Sequence, residues 1–171
     1  MTAPDVSSLS ATASTLRRLG AALTGPGHAL AGAVSAAADG WTGAAARVAR
    51  RRGAALAGGA GELARELDAV GRALADHAAE VSSLATASRA VEDASRRAGL
   101  EVRDGLVGRP FGITGEADSA WVARQDVLIA EQQHALEEVD ASLAAAAESL
   151  RGALTASRQR LAAVSESLRR L

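Results

Sequence analysis

The chain is predicted to be all-α: a long antiparallel helical hairpin followed by a third long helix, packed as an elongated coiled-coil-like bundle. Three observations predict this. Hydrophobic residues make up 48% of the 171, yet aromatics are only 2%, so the apolar content is mostly Ala, Leu and Val and is best buried by bringing helices close together. In three stretches the larger apolar residues recur at spacings that average close to 3.5, which keeps one stripe toward a partner helix. Gly and Pro punctuate the chain mainly between those stretches.

The first stretch runs from about residue 5 to residue 38. Leu9, Leu16, Leu23 and Leu30 lie seven apart, and Leu19 and Val34 fill in the same face. Pro26 between Gly25 and Gly27 removes a backbone donor, so a break into two collinear pieces is expected there. His28 beside it is placed to hydrogen-bond the carbonyls so freed. Asp39-Gly40-Trp41-Thr42-Gly43 then turns the chain, with Thr42 as the candidate cap of the second helix.

The second stretch, from about residue 42 to residue 98, has the clearest pattern. Leu63, Leu67, Val70, Leu74, His77, Val81, Leu84, Ser88 and Val91 alternate steps of four and three, which predicts a helix-packing stripe and a left-handed supercoil. Gly53, Gly58 and Gly59 weaken the helix intrinsically and could allow close approach to the first helix. Gly99 is the expected C-terminal cap. In residues 101–107 Asp104-Gly105 separates two short β-prone runs, which suggests a tight hairpin. Residues 108–118 read as an ordered loop packed down by Phe111. A third helix is expected from Ser119 to the C-terminus, with Ile129, Leu136, Val139, Leu143, Ala146, Leu150, Leu154, Ser157, Leu161, Val164, Leu168 and Leu171 on its stripe and a stutter from 146 to 154. By this reading residues 1–98 form the helical hairpin with its turn at 39–43, 99–118 a connector and 119–171 the third helix, all in one structural unit. The second and third helices would each extend ~80 Å at the α-helical rise, favouring a rod.

The composition disfavours catalysis. There is no Cys and there are only three His, so thiolate metal sites, disulfides and cysteine nucleophiles are excluded and no nucleophile, base and orienting acid can be assembled. Glu131-Gln132-Gln133-His134 contains the Glu-x-x-His unit of di-iron bundles, but its second copy is missing: Leu74, not an acid, stands three residues before His77. A solvated helix face is the reading for Glu131 and His134, and a polar seam residue that fixes register is one reading for His77. Ser is assigned to helix surface. A net charge of −1 and the near absence of aromatics argue against nucleic-acid binding; Arg50-Arg51-Arg52, the densest basic cluster, spreads around a helix. No stretch is long and apolar enough to span a membrane. The segment from Arg17 to Asp39 fails as a signal peptide because Gly25-Pro26-Gly27-His28 interrupts its apolar run. No cofactor or metal is expected.

Trp41-Thr42-Gly43 is a W-x-G tripeptide at the turn between two Ala/Leu helices, followed by Ala44-Ala45-Ala46. With that setting, residues 1 to about 100 resemble the W-x-G helical-hairpin proteins of actinobacterial type VII secretion. Residues 99–117, with Asp104-Gly105 and Phe111-Gly112-Ile113-Thr114-Gly115, look similar to the connector that follows such hairpins in longer actinobacterial proteins, including amino-terminal regions of polymorphic toxins. The resemblance implies a non-enzymatic protein that pairs with another helical protein and acts as secreted substrate, co-substrate or adaptor. Trp41 and Gly43 would be the partner and turn motif, and secretion machinery or a toxin would be further partners. It implies a cytoplasmic protein before export, secreted without a cleaved signal peptide. The family's Y-x-x-x-D/E export signal has no counterpart, since the chain lacks tyrosine; a paired subunit would then supply the address. The alternative is a structural coiled-coil homodimer unrelated to secretion.

Overall fold

A computed structural model describes residues 5–37, 40–110 and 118–170. The fold is all-α: α1 (Val6–Ala36), α2 (Ala44–Arg97) and α3 (Ser119–Arg169), with a two-stranded antiparallel hairpin of β1 (Glu101–Arg103) and β2 (Leu106–Gly108) between α2 and α3. The expected packing role of Phe111, the rest of the connector to residue 117, Asp39 and Leu171 lie outside the described residues. Contacts divide the chain into two compact units, with boundaries inside α2 and α3: Met1–Ala78 with Ser149–Leu171, and Ala79–Glu148.

Local signals place the helix ends. Asp5 caps α1 by accepting from the Ser7 amide at 3.1 Å, and the Ser7 hydroxyl on the same carboxylate holds its pKa below the ordinary value. Asp118 does the same for α3 at the Ala120 amide. α2 ends in a Schellman motif: Gly99 takes φ +73°, its amide donates to Arg96 and the Leu100 amide donates to Ser95. At its other end α2 starts after Gly43, whose carbonyl accepts from the Arg47 amide; this is one residue later than a Thr42 cap would require.

The expected break at Pro26 does not occur; α1 is continuous through it. Pro26 and Ala22, whose carbonyl loses its donor, are both exposed, so solvent can satisfy the carbonyl. Gly25 has no Cβ to clash with the proline ring, which removes the usual penalty on the preceding residue. The carbonyl-bonding role expected of His28 falls with the break, and His28 is exposed on the helix.

In the first unit α2 receives α1 and α3 on different faces. The stripe expected for α1 is displaced: Ala13, Gly20 and Gly27 are the buried positions, while Leu19 is 50% exposed and Leu30 lies at the edge. Small residues let the two backbones approach until no side chain fits. A Cβ on Gly20 would stand 2.8 Å from the Ala64 carbonyl oxygen, and one on Gly71 2.9 Å from that of Ala13. Gly53 meets Val34 in the same interface. Gly59 instead meets Leu168 of α3, and Gly58 faces open space.

The α3-facing side of α2 carries the larger residues. Leu74, His77 and Val81 are buried, and Leu63, Val70, Leu84 and Val91 are half-buried, whereas Leu67, also half-buried, meets Gly20 of α1. Glu66 and Arg160 cross this interface in a two-point pair, Nε to Oε1 at 2.6 Å and Nη2 to Oε2 at 3.0 Å. On α3, Ala146 and Ser157 are buried but Leu154 is exposed, so the chain's second step of four carries that leucine off the seam.

In the second unit Leu100, Val107 and Leu136 form the core, with Val91, Ala98, Val102, Leu128 and Ile129 packed around them. Asp104 (φ +52°) and Gly105 (φ +79°) make the two-residue left-handed turn that matches strand twist. A two-stranded ribbon is marginal alone. Here the Gln133 side chain of α3 fastens it: Oε1 accepts from the Val107 amide at 2.9 Å and Nε2 donates to the Gly105 carbonyl at 3.4 Å.

Candidate partner-binding surface

Gly43, at φ +101°, occupies the left-handed region that an L residue rarely adopts, so it is the residue that allows the chain to enter α2 from the bend. Trp41, two residues before it, is 46% exposed. An indole filling the wedge between diverging helices would be buried; this one presents much of its surface to solvent. Val48 and Leu56 on α2 and Leu30 on α1 are also exposed. Scattered apolar residues need no explanation, but these lie with Trp41 on the bend end of one hairpin.

The stripe residues divide by chemistry. Leu63, Leu67, Val70, Leu74, Val81, Leu84 and Val91 supply apolar area. His77 is buried with Nδ1 lacking a hydrogen-bond partner, and Ser157 of α3 is buried beside the Glu66 carboxylate. An unpartnered buried Nδ1 costs stability where it stands. The Arg160 guanidinium holds Glu66 below the usual carboxylate range, against burial, which pushes the other way. Assigning serines to helix surface misses Ser95, which is fully buried under the Schellman turn.

Around Glu131 and His134 the structure builds a different site from a metal centre. Both are exposed, and His134 Nε2 lies 3.3 Å from Glu138 on the same helix. The intervening Gln133 is the residue with a long-range role, through the hairpin. Among the described residues no three His, Asp or Glu side chains gather as ligands, and no helix is long and apolar enough to cross a membrane.

Charge is segregated in a way the near-zero total conceals. The first unit holds 13 arginines against 7 acidic residues, the second 6 against 13. Residues 40–61, the bend end of α2, contain four arginines and no acid. Arg47 and Arg51 are exposed, and the first turn of α2 offers no carboxylate to its amides. Arg47, the fourth residue of α2, sits near the positive end of the helix dipole, an unfavourable place for it in an isolated helix. Compared with models of known families, with curated proteins and with solved structures, the chain matches none.

Proposed function

We propose that the chain is a non-enzymatic helical protein that works by pairing with a second helical protein, and that it serves a type VII secretion pathway as substrate, co-substrate or adaptor. The observation that carries this reading is Trp41, nearly half exposed at a hairpin bend whose backbone depends on Gly43. A large amphipathic ring at a partly exposed bend is the composition of an interface anchor. The secretion assignment rests on the W-x-G resemblance of that bend. Before export the protein would be cytoplasmic, with its address supplied by the paired subunit.

Co-purification of the full chain from its own organism tests the reading. The expected result is a defined complex with one helical protein, weakened by Trp41→Ala while the thermal melt of the isolated chain hardly moves. A chain that elutes alone, or a complex indifferent to Trp41→Ala, would count against it. A mass twice that of the chain with no second species would favour the structural homodimer.

A further inference from the structure

The β-hairpin between α2 and α3 turns on Asp104-Gly105, where an acid side chain precedes a residue without a Cβ. Both residues are exposed. Among the described residues no hydrogen bond or ion pair engages the Asp104 carboxylate. None is made by the Gly105 amide either, the central N–H that a two-residue turn leaves unbonded. The strands are three residues each, a ribbon that is marginal by itself. Two things hold it on the second unit. Val107 is buried against Leu100 and Leu136, and the Gln133 side chain accepts from the Val107 amide and donates to the Gly105 carbonyl. Gly105 is therefore fastened to α3 through its carbonyl, while its nitrogen stays free to close a five-membered ring on Asp104 Cγ.

We propose that Asp104 is a self-modification site: on local opening of the turn it forms a succinimide, hydrolysis leaves an isoaspartyl linkage, and the altered turn no longer docks on Gln133. In the first step the Gly105 nitrogen attacks Cγ of the neutral Asp104 carboxyl. The N–Cγ bond forms, a Cγ–O bond breaks, and the hydroxyl leaves with the amide proton as water. In the second step water adds to one of the two ring carbonyls. Cleavage between Gly105 N and Cγ restores aspartate, whereas cleavage between Gly105 N and the main-chain carbonyl carbon leaves the chain running through Cβ and Cγ. One water leaves and one returns, so the mass is unchanged. Ring closure ties the Asp104 ψ to the ring, a geometry that the left-handed turn at φ +52° does not have. The reaction therefore runs from the opened turn, and Gln133 sets how often the turn opens. The coupling also runs the other way. An isoaspartyl residue adds one main-chain atom between Arg103 and Leu106, which breaks their pairing and carries the Gly105 carbonyl and the Val107 amide out of register with Gln133. Asp39-Gly40, the other Asp-Gly pair, carries no part of this, since Asp39 lies outside the described residues.

Ageing the full chain at mildly acidic pH, followed by tryptic mapping and enzymatic methylation of isoaspartyl carboxylates, tests the site; Asp39 falls in a separate tryptic peptide. The expected result is a methyl-accepting product of unchanged mass at Asp104, absent from Asp104→Glu, whose ring would need a sixth member. In hydrogen exchange the hairpin of the aged protein should split into two populations. The fast one should grow in step with the product and lack protection at the Val107 amide. Gln133→Ala should accelerate the reaction about tenfold, because the hydrogen bonds that oppose opening are gone. Should Gln133→Ala unfold the second unit, Gln133→Glu keeps an acceptor for the Val107 amide, cannot donate to Gly105, and should give a smaller acceleration in a folded chain. No product at Asp104 in a chain whose synthetic peptide of residues 100–109 does isomerise overturns the proposal. So does a product that leaves hairpin exchange unchanged, or a rate indifferent to both Gln133 variants.

Discussion

The two faces of α2 are damaged by opposite operations. Against α1, Gly71 and Ala64 meet Ala13 and Gly20 at backbone distance, so attraction comes from close approach of two main chains and an added atom has nowhere to go. Against α3, Leu74 and Val81 bury side-chain volume, so a removed atom leaves a hole. One helix therefore carries an interface sensitive to addition and another sensitive to deletion.

Deletion in the α3-facing seam should show the largest effect. Leu74→Ala removes a buried side chain and should cost about 3 kcal/mol, read as a lower urea midpoint at unchanged slope. On the other face the same class of loss should come from enlargement. Gly20→Val must push α1 off the Ala64 carbonyl and should cost about 2–3 kcal/mol. Gly32→Ala, with nothing within 4 Å of the new methyl, should instead gain up to about 1 kcal/mol from helix propensity. If Gly20→Val melts like the parent, the close approach is not what joins α1 to α2.

His77 sharpens the contrast because it is the polar member of the deletion-sensitive face. Replacing it by Leu relieves an unpartnered Nδ1 and extends the apolar seam, so His77→Leu should stabilise by about 1 kcal/mol. The associated loss should be one of specificity: disulfide trapping between cysteines introduced at Leu63 and Leu161 should become less selective over neighbouring pairs. A variant that is destabilised would show that the imidazole is satisfied in solution and contributes net stability.

How much of the fold is legible in the sequence depends on which side chains announce themselves. The Asp104-Gly105 turn and the Gly99 cap are written in residues with special backbone needs, and the left-handed φ values fall there; of the α2 stripe from Leu63 to Val91, Leu74, His77 and Val81 are buried. The α1 stripe is misplaced by a reading that counts only large residues: Leu9, Leu16, Leu23 and Leu30 catch the eye, whereas the interface centre four residues on is Ala13, Gly20 and Gly27. The signal is present all the same, since small residues recur every seven positions there, as do Ala64, Gly71 and Ala78 on α2. Pro26 suggests a break only when judged by its cost in an ordinary helix, without the relief that Gly25 and an exposed Ala22 carbonyl provide. Gln133 carries no local signal, because its role depends on a hairpin twenty-six residues away. The basic end of the hairpin is hidden by a net charge that averages two oppositely charged units.

The smallest expected effect lies in the Glu66–Arg160 pair on the α3-facing side, and its sign is fixed by the direction of the Glu66 shift. Arg160 lowers the folded-state pKa of Glu66 from the ordinary 4.5, so the pair contributes stability above that value and loses it as pH falls through the lowered one. Arg160→Gln leaves the carboxylate without the largest of the groups that lower its pKa, so the lowering shrinks. The stability gap between parent and variant should therefore be constant from about pH 7 to about pH 6 and close progressively below about pH 5. Arg72→Gln provides the exposed control: its ion pair with Asp68 at 2.9 Å is solvated on both sides and should give little gap at any pH. A gap for Arg160→Gln that persists undiminished to about pH 3 would mean that the guanidinium holds α3 by packing its stem along the seam, with the charge incidental.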